Sequence, residues 1–138
     1  MACLHGFKTN TIRLLNLSVI LAIALGCSSG DRPELGQVTG TVTLDGEPMP
    51  DAMVQFWRKG FRASKALTKP DGTFELVYLR DIKGVALGAH DVYIDRVTNF
   101  EISPKHLRLP ARYNDQSTLE RVVEPGKNEF AFDLTSDP

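Results

Sequence analysis

Gly40-Thr41-Val42-Thr43-Leu44-Asp45-Gly46-Glu47-Pro48-Met49-Pro50-Asp51-Ala52-Met53-Val54-Gln55-Phe56 is the stretch on which the reading of this chain turns. With the residues just before it, Val38, Gly40, Val42 and Leu44 alternate with Gln37, Thr39, Thr41 and Thr43. A period of two in β-branched residues predicts a half-buried strand. Asp45-Gly46 supplies the positive φ angles of a tight hairpin. Pro48 and Pro50 lack the N–H a ladder needs, so the connection after the hairpin is short and irregular. The next strand is Met53–Arg58, with Val54 and Phe56 on one face and Gln55 and Trp57 on the other.

The same alternation continues outward. Lys59-Gly60 is a turn, Ala63–Thr68 a weaker strand, and Pro70-Asp71-Gly72 a second strong turn. Phe74 and Leu76 then alternate with Thr73 and Glu75, and a loop through Asp81–Leu87 leads to Gly88. Over Ala89–Asp95, His90, Val92 and Ile94 share one face, and Asp91, Tyr93 and Asp95 the other. Residues 96–118, broken by Pro104, Pro110 and Asn114-Asp115, form a connection of the length that is often functional. Leu119–Val123 is strand-like, Pro125-Gly126 turns the chain, and Phe130, Phe132 and Leu134 close it. The expectation is an all-β domain over residues 37–135, a seven-stranded antiparallel β-sandwich with no helical window after the N-terminal segment.

Residues 1–26 are of a different kind. They carry Lys8, Arg13 and His5 but no Asp or Glu, and Leu14–Leu25 is apolar apart from Asn16 and Ser18. Such a run falls short of the ~20 residues a membrane-crossing helix needs. A basic leader, a short apolar core and a small residue at its end predict a secretory signal helix over 1–26. Ser28-Ser29-Gly30-Asp31-Arg32-Pro33-Glu34-Leu35-Gly36 is small, polar and broken by Pro and Gly, a flexible tether within residues 27–36. The 138 residues carry a net charge of −1. Nucleic acid, which demands a basic surface to displace counterions, is therefore not an expected partner.

Ala24-Leu25-Gly26-Cys27 resembles the bacterial lipobox, although the pattern prefers Leu where Ala24 stands. The resemblance implies cleavage between Gly26 and Cys27, diacylglycerol on the Cys27 thiol, and a membrane anchor at the new N-terminus. With Cys3 removed and Cys27 acylated, neither of the two cysteines is left for a disulfide or thiolate metal site. Ser28 in place of Asp leans toward an outer membrane, in a cell envelope and facing the periplasm or exterior.

The domain also has a look-alike. Residues 40–56, with Thr68-Lys69-Pro70-Asp71-Gly72-Thr73-Phe74-Glu75-Leu76 and Gly88-Ala89-His90-Asp91-Val92, resemble carboxypeptidase regulatory-like domains of the transthyretin-like (prealbumin-like) group. Pro110-Ala111-Arg112-Tyr113 and the run from Gly126 to Leu134 complete the likeness over nearly all of residues 36–135. It implies a Greek-key prealbumin-like sandwich that serves as a structural or interaction unit.

The chain is read as non-enzymatic, without metal or cofactor. Intradiol dioxygenases of related architecture bind iron through two Tyr and two His close in sequence. Here Tyr78, Tyr93, Tyr113, His90 and His106 lack that spacing, and His90 falls on an apolar face. Hydroxyisourate hydrolases end in Tyr-Arg-Gly-Ser, whereas this chain ends in Ser136-Asp137-Pro138. No motif places a serine nucleophile beside a base. Asp91, Asp95 and Asp115 match no calcium loop and read as solvated carboxylates. The candidate ligand surface is Trp57-Arg58-Lys59-Gly60-Phe61-Arg62, where aromatic rings and three cations at a hairpin tip suit a carbohydrate or an anionic envelope polymer. Arg108, Arg112 and Tyr113 invite the same thought. The expected partners are the membrane and an envelope protein or cell-wall polymer.

Overall fold

Two successive residues with positive φ, Asp45 at 52° and Gly46 at 86°, turn the chain at the first hairpin. The mirror-image turn they form matches the right-handed twist of the flanking strands. The computed structural model describes residues 32–99, 101–104 and 107–137. The signal helix expected over 1–26, the lipidation position Cys27 and His106 lie outside the described residues.

The strands, in chain order, are β1 (Leu35–Leu44), β2 (Glu47–Pro48), β3 (Ala52–Trp57), β4 (Ser64–Leu67), β5 (Thr73–Glu75), β6 (Val77–Leu79), β7 (Ile82–Lys83), β8 (Val85–Ala86), β9 (Gly88–Thr98), β10 (Glu101–Ile102), β11 (Leu119–Val123) and β12 (Lys127–Leu134). They form two sheets. In the five-stranded sheet β1 is central, with β12 along one side and β2, β5 and β8 sharing the other. The seven-stranded sheet runs β10-β9-β3-β4-β6-β7, with β11 also on β9. The described chain is thus all-β and sandwich-like.

Two details depart from the expectation. The described residues hold twelve strand segments, not seven: β2 pairs Pro48 with Thr43 in the connection expected to be irregular, β6 follows β5, the expected loop over 81–87 contains β7 and β8, and β10 lies in the long connection. Segments of two residues have no period to read. The first and last strands also pair in parallel, Gln37 opposite Lys127 through Leu44 opposite Leu134. No hairpin joins them, so nothing local sets their relative direction.

Between the sheets lie Val38, Val42, Phe74, Phe132 and Leu134 from one side and Val54, Phe56, Val92 and Ile94 from the other, all buried. Phe56 reaches across: its ring centroid is 5.9 Å from Phe130 and 6.4 Å from Phe132, which itself stacks on Phe74 at 6.2 Å. Each fully buried side chain of this size stabilises by about 1.5–3 kcal/mol. Gly40 is what lets the layers close. A Cβ there would overlap the Phe130 carbonyl oxygen and lie 2.7 Å from the Phe74 ring.

The 3-10 turn Ala111–Tyr113 is tied to the end of β12. Tyr113 is buried, and its hydroxyl accepts the Thr135 N–H at 3.1 Å. Arg112, over the Tyr113 ring at 4.8 Å, donates to the Thr135 carbonyl at 3.1 Å and to its hydroxyl at 2.7 Å. These bonds hold the long 103–118 connection against the sandwich rather than letting it hang free.

Candidate functional site

The period of two sends Met53, Gln55 and Trp57 of β3 to the outer face of the seven-stranded sheet, and Asp91, Tyr93 and Asp95 of β9 with them. The β3–β9 register sets Met53 opposite Asp95, Gln55 opposite Tyr93, and Trp57 opposite Asp91. Tyr93 and Trp57 are therefore diagonal neighbours, within reach of large side chains. Ile102 of β10 and Arg108, Asn114 and Asp115 of the long connection raise the opposite wall, enclosing a groove of about 400 Å³. That lies within the ~300–1,000 Å³ range of small-molecule sites. Wider depressions of about 700 Å³ around Pro48–Asp51 and about 720 Å³ around Arg108–Gln116 have no aromatic ring in their walls.

The polar wall is locked by its own charges. Arg108 donates from Nε to Asp95 at 2.6 Å and forks onto both Asp115 oxygens at 3.0 and 3.1 Å. Asp115 first and Asp95 second hold its guanidinium well above the usual arginine range, so it stays charged at any accessible pH. The other Asp95 oxygen accepts the N–H of Arg96 at 2.9 Å and of Leu109 at 3.4 Å. Asn114 is equally occupied, donating to the Leu109 and Pro110 carbonyls and accepting the Asp115 N–H. Within the described residues, the Gln55 amide and Tyr93 hydroxyl hold no hydrogen bond. Both can donate and accept.

The predicted tip behaves differently from one residue to the next. Trp57 is 39% exposed, and it belongs to the groove rather than to the turn. Arg58 folds inward, donating to the Leu87 carbonyl at 2.6 Å and lying over the Phe61 ring at 4.6 Å. Gly88 makes this room, because a Cβ there would come 2.5 Å from Arg58 Nη1. Lys59, Phe61 and Arg62 stay exposed, outside the groove lining. The tip therefore offers two outward cations, not three.

The remaining candidate residues are dispersed. Asp95 and Asp115 do come together, around Arg108; Asp95, 7% exposed, is not the solvated carboxylate the sequence suggested. No cluster of three metal-ligating side chains occurs among the described residues. His90 is buried on the inner face of β9, with Nδ1 2.9 Å from the Gly88 carbonyl and Nε2 unpartnered. Tyr93 points to the opposite face of the same strand, and Tyr113 is spent on Thr135. Of the groove's sheet floor the sequence offered only Trp57 as a ligand surface, with Tyr93 and Asp95 weighed solely as metal ligands; Gln55 and Tyr93 are opposed only through the β3–β9 register, which no local pattern announces.

The fold defines the chain as an all-β, sandwich-like domain with a lateral groove. No family model matches it, and no curated protein does. Among solved structures it is similar to a DUF3823 family protein from Parabacteroides merdae ATCC 43184, at 14% identity and a TM-score of 0.46. The alignment covers 76% of this chain and 48% of that one, so this chain spans less than half the neighbour's length. No helix among the described residues is long and apolar enough to cross a membrane.

Proposed function

We propose that this chain is a lipid-anchored module of a bacterial cell envelope, carrying a carboxypeptidase regulatory-like, prealbumin-like domain that acts by binding and not by catalysis. The observation that carries the reading is Gly26-Cys27 at the close of an uncharged apolar run, eight residues before the first strand opens at Leu35. Two acyl chains at ~0.8 kcal/mol per buried methylene hold a small domain on a bilayer without a spanning helix. Two turn geometries support the family reading. Asp45 and Gly46 have positive φ, and Asp71 caps its turn by accepting from Thr73 N at 3.0 Å and Thr73 Oγ1 at 2.6 Å.

Binding is favoured over catalysis because the groove's charged groups are committed to one another. The two carboxylates that line it, buried Asp95 and exposed Asp115, both bind Arg108, and the described histidine lies behind the sheet. General acid–base work needs a titratable group free to exchange a proton with a ligand.

Intact-mass measurement of protein from membranes of a bacterial host tests the anchor. The expected species begins at Cys27 and carries added acyl mass, and Cys27→Ala leaves the chain unprocessed. Met1 retained without added lipid would refute it.

A further inference from the structure

We propose that the outer-face groove between Trp57, Tyr93 and Ile102 is a binding site for a neutral oligosaccharide. This deepens the binding half of the reading above and does not rest on the anchor. Three observations carry it. First, Trp57 and Tyr93 stand as diagonal neighbours on one sheet face, and no stacked pair forms between them. Exposed ring faces carry negative charge density, which attracts the positively polarised C–H edges of a pyranose. Met53 and Ile102, the latter 64% exposed, extend the apolar surface on either side.

Second, the hydrogen-bonding groups left free suit hydroxyls. The Gln55 amide and the Tyr93 phenol each donate and accept, as a sugar hydroxyl does. Asp95 and Asn114 have their valences filled inside the wall. They shape the groove without competing for the ligand.

Third, the charge balance selects against an anionic polymer. Among the described residues Arg108 is the only cation lining the groove, and it is shared by Asp95 and Asp115, so these three leave a net negative charge. Beyond the lining, Asp91 opposite Trp57 and Lys65 opposite Gln55 offset one another, so that sign stands. A polyanion would meet repulsion here, whereas a neutral chain meets none. From Met53 to Trp57 the floor runs about 13 Å, at ~3.3 Å per residue, enough for a short oligosaccharide rather than a single ring.

The chain holds one tryptophan, so its fluorescence reports on this groove alone. The full chain in detergent micelles is titrated with cellohexaose, mannohexaose and chitohexaose, and with a galacturonate hexamer as the anionic counterpart. At least one neutral hexamer is expected to shift Trp57 emission saturably, while the galacturonate does not. Tyr93→Ala weakens that response about tenfold, or ~1.4 kcal/mol. Gln55→Ala, which removes no core contact, weakens it less, and Lys59→Ala with Arg62→Ala leaves it unchanged. Calorimetry on Trp57→Phe completes the set. The proposal fails if no neutral hexamer shifts the emission, if the galacturonate binds better, or if the tip double variant abolishes binding. It also fails if Trp57 emission shifts with protein concentration alone, since a second copy of the chain is then the occupant. Loss of acylation with sugar binding intact breaks only the anchor, and the converse result breaks only this assignment.

Discussion

The two sheets present outer faces of opposite character, although both cover the same core. On the five-stranded sheet the outward residues of β1 are Gln37, Thr39, Thr41 and Thr43, and the first and last of them pair with neighbouring side chains. Thr43 donates to Asp133 at 2.8 Å, and Glu75 accepts from Gln37 at 3.1 Å and Lys83 at 2.8 Å. The Lys83 bond, then the Gln37 bond, holds the Glu75 carboxyl below its ordinary range. On the seven-stranded sheet the matching positions set Met53, Trp57, Tyr93 and Leu67 beside Gln55, Lys65, Asp91 and Asp95, and within the described residues neither the Gln55 amide nor the Tyr93 phenol is paired. One face is dressed for water. A large apolar surface left on the other, rimmed by a locked polar wall, is the pattern of an interaction site.

The largest test breaks both faces at once. Gly40→Ala places a methyl against the Phe130 carbonyl and the Phe74 ring, where β1, β5 and β12 meet. Backbone cannot yield as a flexible side chain can, so a loss of about 3 kcal/mol or more is expected. A denaturation midpoint that falls at unchanged slope checks it; an unmoved midpoint would mean that the layers are looser than drawn.

Next comes the wall alone. Asp95→Ala strips Arg108 of one carboxylate and leaves the Leu109 N–H without its acceptor. Both sit in a partly buried site, so about 2 kcal/mol should be lost. The loss should fall on the groove, with faster amide exchange at residues 107–115 and little change over β1 and β12. Asp115→Asn, at an exposed carboxylate, costs under about 1 kcal/mol. An equal cost at both positions would show that the clamp does not depend on burial.

These contrasts also say how much could be read beforehand. Asp45-Gly46, Asp71-Gly72 and Pro125-Gly126 were legible as turns because positive φ is written in residue type; Gly72 and Gly126 have φ of 81° and 89°. The alternation over Val38–Leu44 was legible because burial on one face imposes it. The parallel β1–β12 pair was not, since pairing between chain ends leaves no mark on either end's local pattern. Trp57 was visible as an exposed aromatic, but its partners came from register. Arg58 was misread because its partner is distant in sequence: the Leu87 carbonyl draws the guanidinium inward, and Gly88, thirty residues on, leaves room for it.

A smaller effect lies just behind the groove. Burial, ahead of the repulsion from Arg58, lowers the His90 pKa, against the opposing Gly88 carbonyl and Asp91. The unfolded chain, where imidazole titrates near 6.5, then binds the proton more readily than the folded one. Stability is full above that pH and declines as pH falls through it toward the lower folded value. His90→Leu should flatten this decline, a difference smaller than the Asp95 effect, and also removes the unpartnered Nε2. Denaturation midpoints of both proteins at pH 7.5 and 5.5 measure it, and parallel pH curves would remove His90 as the cause.

The smallest effect concerns the water-facing sheet. Thr41 lies between Thr73 and Ala131 on a face with no raised wall. Thr41→Trp in a Trp57→Phe background moves the chain's one indole there. Thr41 is half-buried with its side chain on the outer face, so the substitution should cost no more than about 1 kcal/mol and the fold should stand. The relocated indole should then ignore the hexamer that shifts Trp57. An aromatic ring on a flat sheet contacts a sugar from one side only, whereas at Trp57 the wall built on Arg108 and Ile102 contributes a second side. If the indole at position 41 responds as strongly, ring exposure alone suffices and the locked wall has no part in recognition.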